Sequence, residues 1–168
     1  KEIKEIKKNK NSLEEPFHIY ISGTDSAGTI FDITRSDVNM IVTVNPKTNQ
    51  ILLTSIPRDY YVTLHTSGVK DKLTHAGVYG INESITTVQD LLGIEISYYV
   101  HVNFTTLIQL VDAIGGIDVV SDTTFQTHGM GVKYTFYAGV NHLDGNRALA
   151  FSRERKSFSD GDKKRVQN

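Results

Sequence analysis

Asn39-Met40-Ile41-Val42-Thr43-Val44, then Asn45-Pro46-Lys47-Thr48-Asn49, then Gln50-Ile51-Leu52-Leu53-Thr54-Ser55-Ile56 is the stretch that decides the fold. Two β-branched runs separated by five turn-forming residues predict a β-hairpin. Upstream, His18-Ile19-Tyr20-Ile21-Ser22 reads as another strand, and Tyr60 to Leu64 as a further one at an edge. Downstream the period changes. Ile81, Ile85, Val88 and Leu92 recur at helical spacing and Gly93 closes the run, so the pattern predicts a helix over 78–92 with one buried face. Phe104, Leu107, Ile108, Val111 and Ile114 repeat that spacing before Gly115-Gly116, while Tyr98 to Val102 and Ile117 to Val120 are strand-like. Strands mixed with one-striped helices imply an α/β fold, a mixed central β-sheet covered by helices on both faces. The early hairpin is what makes the sheet mixed rather than wholly parallel.

At 168 residues and 39% hydrophobic content the chain is long enough for one domain with its own core. Residues 1–16, with Ile3 and Ile6 three apart among charges, read as a linker or peripheral helix, and 17–168 as the domain. A formal net charge of -1 excludes a broad nucleic-acid surface, so any anion site is local. With no cysteine there is no thiol nucleophile, disulfide or cysteine metal site. No apolar run approaches the roughly 20 residues of a membrane-spanning helix. The chain starts at Lys1 and stops in what reads as an opening helical turn, Arg165-Val166-Gln167-Asn168, so the expectation is a domain cut from a longer, C-terminally extended parent.

Near the end, Asp144-Gly145 caps a short helix through Leu149. If the chain turns extended near Phe151, Arg153 and Arg155 share one face by the period-two rule, and that is the arrangement expected here. Asp162 then caps a further helix carrying Lys164 and Arg165.

Charged side chains collect at the ends of the apolar runs. Asp25 and Asp37 supply two hard carboxylate ligands of the kind that hold Mg²⁺ on a phosphorylated substrate, or they are turn residues. Arg58, following Pro57 at a strand end, offers a bidentate fork to phosphate, or forms a surface pair with Asp59. Arg153 and Arg155, joined by Arg35, Lys72 and Arg165, would surround a pyrophosphate with positive charge and so stabilise a phosphoryl-transfer transition state. The six histidines show no ligand spacing, which argues against zinc.

The run Arg35-Ser36-Asp37-Val38-Asn39-Met40, then Ser55-Ile56-Pro57-Arg58-Asp59, Lys72-Leu73, Leu91-Leu92-Gly93-Ile94, Val111-Asp112-Ala113-Ile114-Gly115-Gly116-Ile117 and Ala148-Leu149-Ala150-Phe151-Ser152-Arg153-Glu154-Arg155 closely resembles the LytR-CpsA-Psr family, most of all its capsule-assembly branch. The motifs stand in the family's order and cover the chain from Phe17 onward. The resemblance implies a phosphotransferase on the outer face of a Gram-positive membrane. Such an enzyme moves a capsular polysaccharide or other anionic glycopolymer from a polyprenyl (undecaprenyl) pyrophosphate carrier onto peptidoglycan through a phosphodiester, with pyrophosphatase activity on the side. It also implies Mg²⁺, with Mn²⁺ as the alternative, and a membrane anchor N-terminal to this chain. Carried over by motif, Asp25 and Asp37 are the metal-side acids, and Arg35, Arg58, Lys72, Arg153, Arg155 and Arg165 are the pyrophosphate-binding cations. Asp59 and Asp162 orient the arginines; the chemistry leaves the general base open, with Asp37 or Asp25 able to serve where the metal leaves an oxygen free. Val38 and Thr74 depart from the family's usual Thr and Asn, and the usual Arg-Gln pair after the last arginine is not recognisable.

A polyprenyl tail needs an apolar cavity, and the helix stripes of Ile85, Val88, Leu92, Phe104, Leu107 and Val111 are the surfaces that could line one. Two other readings compete: a non-catalytic lipid-carrier binding module, and a soluble nucleotide or sugar-phosphate hydrolase with a polar pocket and no lipid tunnel.

Overall fold

The computed structural model describes residues 15–27, 34–128, 131–154 and 157. Its contacts divide the chain into two compact units, one up to Asn103 and one from Phe104 onward.

The first unit is built on strands β1 (Phe17–Gly23), β2 (Val38–Asn45), β3 (Gln50–Ser55) and β6 (Tyr98–Val102), in the order β3-β2-β1-β6. β1 is antiparallel to β2 and β2 to β3, while β6 runs parallel to β1, so the sheet is mixed as expected. The hairpin turn forms because Asn45 Oδ1 accepts the Lys47 and Thr48 amides and Asn49 takes φ 53°, a left-handed conformation that Asn tolerates. β4 (Tyr61–Thr63) pairs with β5 (Lys70–Lys72) in a separate ribbon. That ribbon leads into helix α1 (Leu73–Ala76) and a 3-10 turn, Gly77–Tyr79.

Helix α2 spans Ile81–Leu92. It begins three residues later than the spacing predicts because Gly80, at φ 104°, interrupts the helical backbone. It ends as expected, with Gly93 at φ 65° donating its amide to Gln89 O. Ile85 and Val88 on its buried face join Tyr20, Ile41, Ile56, Leu73 and Ile96 in one core.

In the second unit, helix α3 (Phe104–Ala113) is followed by β7 (Ile117–Ser121), β8 (Phe125–Gln126), β9 (Thr135–Phe136), β10 (Gly139–Leu143) and helix α4 (Gly145–Arg153). The described residues thus hold four α-helices. β7 pairs with β10 and β8 with β9, both antiparallel. The core is aromatic: Phe125, Phe136 and Phe151 stack with centroids 5.1 to 5.6 Å apart, backed by Val111 and Leu143. Asp144 caps α4 by accepting the Arg147 amide. Gly145 is the only residue type that fits its place, since a Cβ there would lie 2.3 Å from Ile108 O.

One expectation is corrected here. The chain is not extended near Phe151; α4 continues through Arg153, and only Glu154 takes extended angles. Burial of Phe151 in the ring cluster and the run of helix formers Ala148, Leu149 and Ala150 carry the helix one turn further. The expectations for 1–14, Arg155, Asp162 and Arg165, including the helix capped by Asp162, fall outside the described residues.

Candidate functional site

Each ladder of the first unit's sheet runs one bond past its strands, and these extra bonds gather the charged residues. Thr24 N donates to Val102 O (2.9 Å), Asp37 N to Gly23 O (2.7 Å) and Ile56 N to Asn39 O (2.8 Å). The end of β1, the start of β2 and the end of β3 are therefore locked side by side, and Asp25, Asp37 and Arg58 emerge together. Below them, Thr74 N donates to Arg58 O and Leu73 N to Tyr60 O (both 2.9 Å), which fixes the segment carrying Lys72.

The side chains form a continuous alternation of acids and cations. Arg58 Nη1 donates to Asp37 Oδ1 at 2.6 Å, Arg58 Nε lies 3.6 Å from Asp59 Oδ2, and Lys72 Nζ donates to Asp59 Oδ1 at 2.7 Å. The Asp25 amide donates to Asp37 Oδ2 at 3.1 Å. Five of the residues singled out in the sequence are thus joined in one chain, and Arg35 is exposed on the segment next to Asp37. The Asp37 contact holds the Arg58 guanidinium still more firmly protonated than usual, and the Lys72 hydrogen bond holds Asp59 below the ordinary carboxylate range. All four side chains keep between 29 and 56% of their surface exposed, so a ligand can reach them.

Each Asp37 oxygen accepts one N–H and keeps a second lone pair. Mg²⁺ usually takes one or two carboxylates from protein and completes its shell with water and phosphate oxygens, and Asp37 offers such a carboxylate here. No group of three His, Asp or Glu among the described residues forms a larger metal cage.

In the second unit Arg153 closes α4 with its guanidinium 4.2 Å over the Phe104 ring. Glu154, only 3% exposed, accepts the amides of His128 (2.7 Å) and Ser157 (2.9 Å). The sequence reading gave Glu154 no role. Its signal was an acid flanked by arginines, which does not distinguish a buried tie from a solvated charge. Of the six residues proposed for a lipid tail, Ile85 and Val88 are in the first unit's core and Leu92 is exposed. Val111 is in the second unit's core, with Leu107 packed against it.

A mixed sheet with acids and a forked cation at its strand ends, carried by Arg-Ser-Asp and Pro-Arg-Asp motifs, defines one class, and the chain belongs to the LytR_cpsA_psr family, whose model matches residues 1–168. It is 41% identical over 154 residues to the polyisoprenyl-teichoic acid–peptidoglycan teichoic acid transferase TagU of Bacillus anthracis, covering 91% of this chain and 49% of that protein. Among solved structures it is similar to B. subtilis TagV, with 34% identity, TM-score 0.75, and coverage of 92% of this chain and 61% of that one. It is also similar to TagT with bound octaprenyl pyrophosphate lipid, with 32% identity, TM-score 0.69, and coverage of 88% and 60%. The chain spans about half the length of the curated relatives it matches.

Proposed function

We propose that this chain is the catalytic part of a phosphotransferase that moves an anionic glycopolymer from a polyprenyl-pyrophosphate carrier onto peptidoglycan. The observation that carries this reading is the Asp25–Asp37–Arg58–Asp59–Lys72 chain at the strand ends, which sets two solvent-accessible cations beside acids that could hold a divalent metal. The names of TagU and of lipid-bound TagT support the same substrate class. Teichoic acid in those names makes it the first polymer to try, with capsular polysaccharide the second.

An acceptor sugar hydroxyl attacks the sugar-proximal phosphorus, the bond to the bridging oxygen breaks, and polyprenyl phosphate leaves with the electron pair. Asp37 or Asp25 takes the hydroxyl proton. Arg58 and Lys72, assisted by Arg35, Arg153, Arg155 and Arg165, neutralise the charge that grows on the leaving phosphate. Asp59 and Asp162 hold those cations in place. Mg²⁺, or Mn²⁺, on Asp25 and Asp37 would supply further charge neutralisation. Water in place of the sugar turns the same site into a slow pyrophosphatase. The setting is the outer membrane face, with an N-terminal anchor outside this chain; no helix among the described residues is long and apolar enough to cross a membrane.

The test is release of inorganic phosphate from octaprenyl pyrophosphate. The expected result is metal-dependent turnover, abolished by chelation and reduced at least about a hundredfold in Arg58→Ala. Tight lipid binding without turnover under any divalent metal would replace the transferase with a carrier-binding module.

A further inference from the structure

β2 buries two side chains, Asn39 and Ile41, and the first of them is polar. Asn39 is only 1% exposed, and it sits on the sheet face it shares with buried Ile41. A buried amide is retained only if its donors and acceptor are satisfied, and the partners of Asn39 reach in three directions. Tyr20 Oη donates to Asn39 Oδ1 at 2.5 Å. Asn39 Nδ2 donates to Ser36 O at 3.4 Å, and Asn39 O accepts the Ile56 amide at 2.8 Å.

These partners border the charged site. Ser36 immediately precedes Asp37, and Ile56 lies two residues before Arg58, so one residue is tied to both segments whose side chains meet at 2.6 Å. Tyr20, 0% exposed, anchors the assembly from below. Burial, reinforced by neighbouring Tyr99, raises the Tyr20 phenol well above its ordinary value. The Ser36 carbonyl can only accept, so it takes the NH₂ side of the Asn39 amide and leaves the carbonyl side to the Tyr20 hydroxyl.

We infer that Tyr20 and Asn39 act as a buried bracket that positions the Asp37–Arg58 pair for the anion, through the Ser36 carbonyl and the Ile56 amide. Neither residue touches the substrate; both are positioning residues. The inference deepens the transferase reading and rests on it for the catalytic arm of its test.

The first arm needs no substrate. In the wild-type chain the carboxylate of Asp37 hinders rotation of the Arg58 guanidinium, and ¹⁵N NMR at low temperature is expected to show separate Nη signals for Arg58. Tyr20→Phe, which removes one oxygen and keeps the ring, is expected to average them. Tyr99→Phe is the control, because it keeps the ring that lies against Tyr20 (centroids 5.7 Å apart) and removes a hydroxyl that binds Ser22 and His101 (2.8 Å each). It is expected to leave the Arg58 signals separate. Unchanged Arg58 signals in Tyr20→Phe, or equal averaging in the Tyr99→Phe control, would overturn the bracket.

The second arm measures phosphate release from octaprenyl pyrophosphate, at a temperature where all variants are folded by circular dichroism. Tyr20→Phe is expected to lower kcat/KM about tenfold, within the range that small misplacements of a positioned group produce. In an Arg58→Lys background the same change is expected to cost less than about twofold, because the pair it positions is already altered. Equal losses in both backgrounds would mean that the tyrosine acts on stability alone and would overturn the inference. A wild-type chain that releases no phosphate would sink the transferase reading, while the Arg58 signals still decide the bracket.

Discussion

The two units place arginines in different surroundings. In the first, Arg58 is gripped by its N–H edge between Asp37 and Asp59, and Lys72 completes the alternation. In the second, Arg147 lies 4.9 Å over Phe136 and donates to Thr135 O at 3.2 Å, and Arg153 lies 4.2 Å over Phe104. A carboxylate fixes direction and cancels charge, whereas a ring fixes position and leaves the charge in place. An anion bound at Arg58 as proposed would share the guanidinium with Asp37, which makes placement of that acid decisive. The cores differ in the same sense. Buried polar pairs such as Tyr20 with Asn39 are set among aliphatics in the first unit, while three phenylalanines fill the second.

The largest test of this contrast is Phe136→Ala. Phe136 is fully buried between Phe125 and Phe151, so its removal should cost about 3–5 kcal/mol in urea denaturation. A loss below about 1 kcal/mol would mean that the rings are not what holds the second unit. Next comes Asp59→Asn, which cuts the link between Arg58 and Lys72. Exposed ion pairs contribute little, so KM for octaprenyl pyrophosphate should rise by no more than about fivefold with the fold intact. A larger rise would show that Asp59 does more than orient the cations. Asp144→Ala removes the cap of α4 and should lower stability by about 1 kcal/mol, read by thermal denaturation.

The smallest effect is that of pH, and it acts on both units. His65 is raised by its hydrogen bond to Asp90 in the first unit, and His142 by its hydrogen bond to Asp118 in the second. A raised folded-state pKa gives stability that is complete below the ordinary histidine value of about 6.5 and fades as pH climbs through the higher folded value. The thermal midpoint should therefore fall slightly as pH rises from about 6 to 8, and Asp90→Asn or Asp118→Asn should each flatten part of that slope. Asp59, held low by Lys72, works in the opposite sense: its contribution is present above the ordinary aspartate value and is lost as pH falls through the depressed one. A histidine NMR titration giving ordinary values for His65 and His142 would contradict the ion pairs.

Much of the fold was legible because the signals are local. The hairpin at 45–49, the Gly93 stop and the α3 stripe follow from neighbouring residues alone. The end of α4 was misread because burial of Phe151 against Phe125 and Phe136 outweighed the alternation suggested by Arg153 and Arg155. At the site, the motifs named Asp37, Arg58 and Lys72. They did not reveal Asn39 or Glu154, whose partners are Tyr20, 19 residues away, and His128, 26 residues away.

By itself the sequence determined which segments are strands and helices, which family they compose, and which charged residues are candidates for the site, since those follow from short-range periodicity and ordered motifs. Only the tertiary structure decided how the charges are shared, with Asp37 on Arg58 and Lys72 on Asp59, and which buried groups stand behind them. The reason is physical. Hydrogen bonds and ion pairs act over about 3 Å, and that distance is set by how strands distant in sequence are laid side by side.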